Sequence, residues 1–500
     1  MRFVRYMLLM VVSVIAPLFG ANVFAQSADT EVLKGKVDKL EKELTELKDM
    51  LKQQIQRDME KEKEITSLKE KDAQKEKEIA SLREVDTKKE KEMASLKEEV
   101  QKKEVVAGAE APGEESSLAS KSKMSPIYAK PFLRRFGRNT YLGGYMDFQF
   151  RATEDDKGDH GFAVDRFIPF IYADVSDRVK VASEIEFENG GVSDESKGEA
   201  KLEFATIDYL ITDWINFRGG FILTPLGKYN LIHDAPLQDL TDRPLVDQFI
   251  IPTTITDAGM GFFGSLYPSE LSKLDYEIYA TNGVFRGLDA DHTSHFGLDE
   301  GIRETRGGFV DLDNYNESPA VVGRVAFSPF IGLEFGGSVY TSRYDQKNNN
   351  QLTIPALDFA YQKGPFELVG EGAYAFIETD NFARSAVDED GNPAGIADSM
   401  WGYYVEGRYH FMPSCLKSWA PKFFTDNSTF TGVLRWDQVQ TSAIEATGRE
   451  NWLRNRITPG LNYRYTEDTV FKLDYQINME EKDLSNTANN AFLFSVATYF

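Results

Sequence analysis

The chain is nearly without cysteine. Cys415 is the single one among 500 residues, which excludes an internal disulfide and any thiolate-built metal centre. Beyond residue 25 no stretch approaches the ~20 consecutive apolar residues that a spanning helix requires, so only strands could carry this chain through a bilayer. Positive charge is in deficit, with 57 Lys and Arg against 80 Asp and Glu and a formal net charge of −23. No basic patch suited to nucleic acid occurs, nor a glycine loop of the phosphate-cradling kind. Histidine is scarce too, at 5 residues. His233-Asp234 has no serine or cysteine nucleophile at a recognisable motif, and His292 and His295 beside Asp289, Asp291 and Asp299 read as a polar loop, not a metal site. The expected protein is therefore not an enzyme and carries no cofactor and no metal. What the chain does hold, 12% aromatics and 38 glycines, fits one large antiparallel β architecture.

The N-terminal quarter is different. Residues 1–25 carry Arg2 and Arg5, an apolar core from Met7 to Phe19, and Val23-Phe24-Ala25 at the end, the pattern of a signal peptide cleaved after Ala25. No cysteine follows, so no lipid anchor is indicated. From Glu31 to Val100 apolar residues recur at alternating four- and three-residue steps, as in Leu33, Val37, Leu40, Leu44, Leu47 and Leu51, which is the heptad register of a coiled coil. Its second half repeats KEKEITSLKEKDAQ, KEKEIASLREVDTK, KEKEMASLKEEVQK, placing Asp72 and Asp86 on the seam as polar layers that set register and strand number. The expected division is signal peptide 1–25, periplasmic coiled coil 26–104, Gly/Ser/Pro-rich linker 105–138 and β-barrel 139–500.

Past the linker, runs of roughly ten residues alternate with period two and end in turn signals. Sixteen strands are predicted, near 140–151, 161–175, 178–189, 200–211, 215–223, 259–267, 273–282, 319–328, 331–343, 352–362, 366–378, 400–411, 429–440, 451–465, 469–479 and 490–500. Their connections are alternately short and long, and the long ones are acidic, with clusters such as Glu154-Asp155-Asp156 and Asp388-Glu389-Asp390. Met412 to Thr425 is an exception, long where a short turn is due. Trp214, Tyr267, Phe330, Phe366, Phe411, Trp419 and Phe471 stand beside the short turns as an interfacial girdle. The fold class expected is an all-β transmembrane, antiparallel 16-stranded outer-membrane barrel. An even strand count puts both barrel ends, and the coil, on the periplasmic side.

One stretch organises the rest. Ile215 to Leu223 and Gly259 to Tyr267 are apolar β-like runs separated by roughly 35 residues carrying Pro225, Pro236, Pro244 and Pro252. A structureless connection of that length is improbable unless functional, and inside a wide barrel it would narrow the lumen. Arg218-Gly219-Gly220, Thr224-Pro225-Leu226-Gly227, Asp242-Arg243-Pro244 and Ile251-Pro252 resemble the corresponding stretch of outer-membrane porins related to the phosphate-selective porin O/P family. The resemblance covers the barrel and not the coil. It implies a homotrimer, an eyelet formed by the internal loop, and anion selectivity resting on wall arginines and a lysine cluster near the mouth. Here the arginines have counterparts and no lysine cluster is found.

Alternation places Arg218, Arg324, Arg408, Arg435, Arg454, Arg456 and Arg464 on the lumen side, because charges facing lipid would be costly. The constriction loop brings Lys228, His233, Asp234, Asp239, Asp242, Arg243 and Asp247 opposite them. Arginines facing carboxylates would set a transverse field, unless the arginines pair with lumen carboxylates such as Asp437 or Asp474. The expected function is passive diffusion of small hydrophilic solutes or ions with a weak anion preference, since loop charges beyond the ~8–10 Å screening length act weakly. The competing readings are a cation-preferring pore and a structural tether: about 70 helical residues at ~1.5 Å each extend about 105 Å, enough to reach the cell wall. The partners expected are outer-membrane lipid and lipopolysaccharide, with peptidoglycan at the coil and no nucleic acid.

Overall fold

The computed structural model describes residues 133–500 apart from 137–138, 155–159, 191–197, 285–295, 297–300, 306–318, 346, 388–395, 442–451 and 481–488. The expected signal peptide and coiled coil, most of the linker, and the His292/His295 loop lie outside the described residues. The chain divides into two compact units, Met1–Ala111 and Pro112–Phe500, and the second holds every element described below.

A short strand β1 (Arg134–Phe136) precedes sixteen long ones: β2 (Thr140–Thr153), β3 (His160–Asp174), β4 (Val179–Glu188), β5 (Ala200–Leu210), β6 (Asn216–Leu223), β7 (Thr256–Leu266), β8 (Lys273–Thr281), β9 (Ala320–Phe330), β10 (Leu333–Arg343), β11 (Gln351–Lys363), β12 (Phe366–Ile377), β13 (Ser399–Phe411), β14 (Thr429–Gln440), β15 (Leu453–Arg464), β16 (Thr469–Glu480) and β17 (Ala491–Tyr499). From β2 onward each pairs antiparallel with its chain neighbour. The circle closes where β17 pairs with β2, from Ala491↔Thr153 to Tyr499↔Tyr145. Closure leaves no sheet edge, which is what allows a sheet to cross a bilayer with every ladder group satisfied. All sixteen predicted strands are present, with ends displaced by a few residues; β7, for example, begins at Thr256 and not at Gly259.

The alternation that signals a strand also sorts its side chains. In β11, Leu352, Ile354, Ala356 and Asp358 are buried on the inner face, whereas Leu357 between them is 72% exposed. In β2, Tyr145 and Asp147 are buried and Leu142 and Met146 exposed, and in β4 Glu184 and Glu186 are buried while Phe187 is exposed. Outward residues such as Ile207, Met260, Ile278, Val339, Leu357 and Leu434 form an uncharged exposed band that a water-soluble surface rarely carries. All seven girdle aromatics are exposed as well. Bulges interrupt the register at Asp147/Phe148 against β3, at Glu184/Ile185 against β5 and at Leu333/Phe335 against β9. The over-long turn after β13 contains a helix, Ser414–Trp419, instead of extended chain.

Candidate pore constriction

The connection from β6 to β7 cannot continue either strand, because Pro225, Pro236, Pro244 and Pro252 remove ladder donors along it. Its ends are drawn together: Thr224 N donates to Ile255 O at 3.0 Å. Asn230 straddles both ends, its Nδ2 donating to Thr224 O at 2.7 Å and its Oδ1 accepting from Ile255 N at 3.2 Å. Between them run two 3-10 turns, Tyr229–Ile232 and Ala235–Leu237, and a helix, Leu245–Phe249, with Pro244 as its N-cap. Leu226, Leu245, Val246, Ile250 and Ile251 cluster with inward-facing Tyr340, Ile354, Ala373, Met400 and Val439 of β10 to β14. Leu231 and Ala235 instead join Tyr145, Phe170, Phe204 and Tyr499. The connection thus packs on the inner face of the barrel along two arcs of its wall.

Polar clips fix it there. Lys228 N and Tyr229 N donate to Glu371 Oε2 at 2.6 and 3.0 Å, Leu245 N to Asp437 Oδ1 at 3.0 Å, and Thr241 Oγ1 to Asp474 Oδ1 at 2.8 Å. The Glu371 clip needs Gly227, whose φ of +71° is a conformation that side chains rarely adopt and whose added Cβ would lie 2.1 Å from Glu371 Oε1. Gly227→Ala is therefore expected to lower stability by about 1–3 kcal/mol and to raise single-channel conductance as the connection loosens. Denaturant unfolding and bilayer recording check the two effects, and wild-type values in both would remove the clip from the account.

Five of the seven predicted wall arginines are engaged by carboxylates. Arg218 Nε and Asp208 Oδ1 are 2.7 Å apart, Arg324 Nη2 donates to Asp358 Oδ1 at 2.8 Å, and Arg435 Nε to Asp437 Oδ2 at 2.8 Å. Arg408 meets Glu406 at 2.6 Å, Glu367 at 3.1 Å and Asp239 at 3.2 Å, and Arg464 meets Asp239 at 2.9 Å. Arg435 and Arg464 also hold the connection's backbone, donating to Asp242 O at 3.1 Å and Pro236 O at 2.6 Å. Arg454 lies over the rings of Phe249 and Trp452, at 4.6 and 5.4 Å from their centroids. Arg456 Nε donates to Asn478 Oδ1 at 2.7 Å, while its Nη1 is buried with no hydrogen-bond partner among the described residues. The open opposition of arginine wall and acidic loop that the sequence suggests is thus largely replaced by local pairing, which is how a polar interior satisfies itself.

The predicted loop residues behave likewise. Lys228 Nζ sits 2.8 Å from Glu334, and His233 lies between Asn230 O, at 2.7 Å, and the Glu203 carboxylate. Asp234 accepts from Tyr499 Oη at 2.8 Å, Asp242 meets Arg151 at 2.5 Å, and Arg243 donates to Thr253 O. Burial would raise the Asp239 carboxyl, but Arg408 and Arg464 overcome it and hold it down at about 2, so its charge persists at any physiological pH. Asp247 goes the other way. Its carboxyl is buried, and burial together with the neighbouring Glu371 charge pushes it well above the usual carboxylate range.

A cavity of about 500 Å³ opens between the connection and the wall, lined by Arg151, Arg166, Arg243, Arg303 and Arg456 with Asp165, Glu188 and Asp242, and by Gln149 and Gln248. Five guanidiniums and three carboxylates line it, and a fourth carboxylate, Asp147, pairs with Arg166 at 3.0 Å from behind the lining, so the positive excess is small in a chain that is acidic as a whole. No family model matches this chain. An uncharacterized protein of Aquifex aeolicus (strain VF5) is 26% identical over 279 residues, 54% of this chain and 61% of that protein, so the chain spans under two thirds of this relative's length. Several solved outer-membrane proteins are similar in structure. They include OmpF of Salmonella typhi in complex with daunomycin (12% identity, 73% of this chain and 99% of that one, TM-score 0.48), DcaP of Acinetobacter baumannii (12%, 73%, 99%, 0.45) and an anion-selective porin from Comamonas acidovorans (10%, 72%, 99%, 0.45). Of the cavity's arginines, only Arg243 and Arg456 were among the predicted site residues. Parity could have found Arg166, since outward Phe167 and Ile171 put it on the inner face; Arg303, in a polar connection with no period, gave no signal.

Proposed function

We propose that the protein is an outer-membrane porin for passive diffusion of small hydrophilic solutes or ions, with the β6–β7 connection forming the constriction and a weak preference for anions there. The observation carrying this reading is the cavity between connection and wall, where five arginines outnumber three carboxylates. Charges lining a narrow, poorly screened passage act at close range, whereas those of external loops are attenuated beyond ~8–10 Å. Assembly as a homotrimer and a relationship to phosphate-selective porins belong to the same proposal and rest on the four short stretches quoted above. The test is the reversal potential of the purified protein in a planar bilayer under a salt gradient. The expected sign is that of mild anion preference. Arg456→Ala should move it toward cations, because Arg456 Nη1 is not tied to a wall group, while Arg454→Ala, which removes a stacking contact on Phe249, should move it less. A clearly cation-selective wild type would hand the selectivity to the loop carboxylates.

A further inference from the structure

The pore reading gives residues 412–428, between β13 and β14, no role beyond the ring that Trp419 adds to the girdle. The segment opens with the helix Ser414–Trp419, which buries none of its residues, and a six-residue helix has little reason to persist in water without packing. Its largest side chains face outward: Trp419 is 80% and Phe423 69% exposed. Phe424 shows where the segment sits. Its ring packs against Phe430 and Tyr463 at 6.0 and 5.5 Å, and both are outward residues of β14 and β15. Tyr463 Oη also donates to Phe423 O and, at 3.3 Å, to Ser428 Oγ. These two rings belong to a continuous run around the barrel exterior, in which Phe366, Tyr409, Phe411, Phe430, Tyr463 and Phe471 contact in turn at 4.8, 5.9, 5.8, 4.8 and 6.3 Å. The segment is thus held outside the barrel, at the level of the girdle.

We propose that residues 412–428 are a membrane-surface anchor seated among the lipid headgroups at the short-turn end, with Trp419 and Phe423 entering the upper acyl chains and Lys417 and Lys422 turned to anionic lipid phosphates. Exposed Trp and Phe with neighbouring lysines are the composition that binds in the interfacial plane. The 3.0 Å pair of Lys417 with Asp426 does not compete, because Asp426 is 99% exposed and such pairs are weak. The anchor rests on the barrel being inserted in a membrane.

Cys415, exposed and the chain's only cysteine, reports on this directly, since it shares a helix face with Trp419 four residues on. A nitroxide on Cys415 is read in vesicles of phosphatidylcholine and phosphatidylglycerol as the ratio of collisions with oxygen to collisions with a water-soluble nickel chelate. Two references in a Cys415→Ser background bracket it: Leu434→Cys on the exposed outer face of β14 and Glu467→Cys on an exposed short turn at the same end. The expected ratio at Cys415 lies several-fold above that at Glu467→Cys and below that at Leu434→Cys, and Trp419→Ser with Phe423→Ser lowers it toward the turn value. A ratio equal to the turn value, or nitroxide–nitroxide broadening from a second copy covering the segment, overturns the anchor while leaving the barrel reading intact. An aqueous ratio at Leu434→Cys as well overturns the membrane reading and the anchor with it.

Discussion

Arg218→Leu is expected to lower the barrel's unfolding free energy by about 3–5 kcal/mol without changing the sign of its ion selectivity. The Arg218 side chain is wholly buried. Its Nε and Nη2 make a bidentate pair with Asp208, each at 2.7 Å, its Nη1 donates to Tyr279 Oη at 3.1 Å and lies 3.6 Å from Glu277, and its guanidinium is 4.3 Å from the Phe263 ring centroid. Leucine would fill much of the volume yet leave Asp208 and Glu277, both buried, with no cation between them, and an uncompensated buried charge is the costly outcome of breaking such a pair. Arg218→Lys should lose less, because it keeps the charge and gives up only the planar bidentate geometry. Denaturant unfolding in vesicles, or the temperature at which the folded band disappears in semi-native electrophoresis, measures the loss. A shift for Arg218→Leu no larger than that for Leu434→Ala on the outer face would show that the cluster is not holding β5, β6 and β8 together.

Excising residues 228–253 and joining the strands through a short Gly-Ser turn is expected to raise single-channel conductance several-fold and to remove the anion preference. The join is geometrically open, since Thr224 N and Ile255 O are already 3.0 Å apart. The deletion takes away Thr241, Asp242, Arg243, Gln248 and Phe249 from the cavity lining and leaves Arg151, Arg166, Arg303 and Arg456 on the edge of a wide, well-screened lumen. It also removes the groups of the connection that bind Glu371, Asp437 and Asp474, although Asp437 keeps Arg435. Those carboxylates would then face lumen water and remain solvated, so the barrel should assemble with reduced stability. Conductance unchanged within error would mean that the narrowest point lies elsewhere.

Most of the barrel was legible in the sequence because a strand covered by lipid on one side and polar interior on the other has to alternate, and Leu352, Ile354 and Leu357 do so without exception. The constriction segment was legible because four prolines in one connection cannot belong to a ladder. Partner choice was not. Asp437 stands opposite Arg456 in the register, yet it binds Arg435 on its own strand and Leu245 N of the connection, a selection made by packing that no spacing reveals. Bulges hid other residues. Strict alternation sets Leu202 with Phe204 on the inner face, whereas the register shift opposite Glu184/Ile185 turns Leu202 outward, at 43% exposure, and brings Glu203 in at 1% to meet His233. All seven rings expected in the girdle are exposed, but that Phe424 would fold the neighbouring turn onto Phe430 and Tyr463 depends on a helix too short for periodicity to detect.

The clips that seat the constriction join distant parts of the chain. Asp437 is 192 residues from Leu245, Asn462 is 223 from Asp239, and Asp474 is 233 from Thr241. Loop-closure entropy has to be met before such contacts return anything, and chains dominated by them fold slowly. The connection cannot be held at these points until β14, β15 and β16 have joined the sheet. Until then Leu245, Val246, Ile250 and Ile251 have no complete wall to pack on. In the pore proposed above, narrowing therefore follows the joining of these strands.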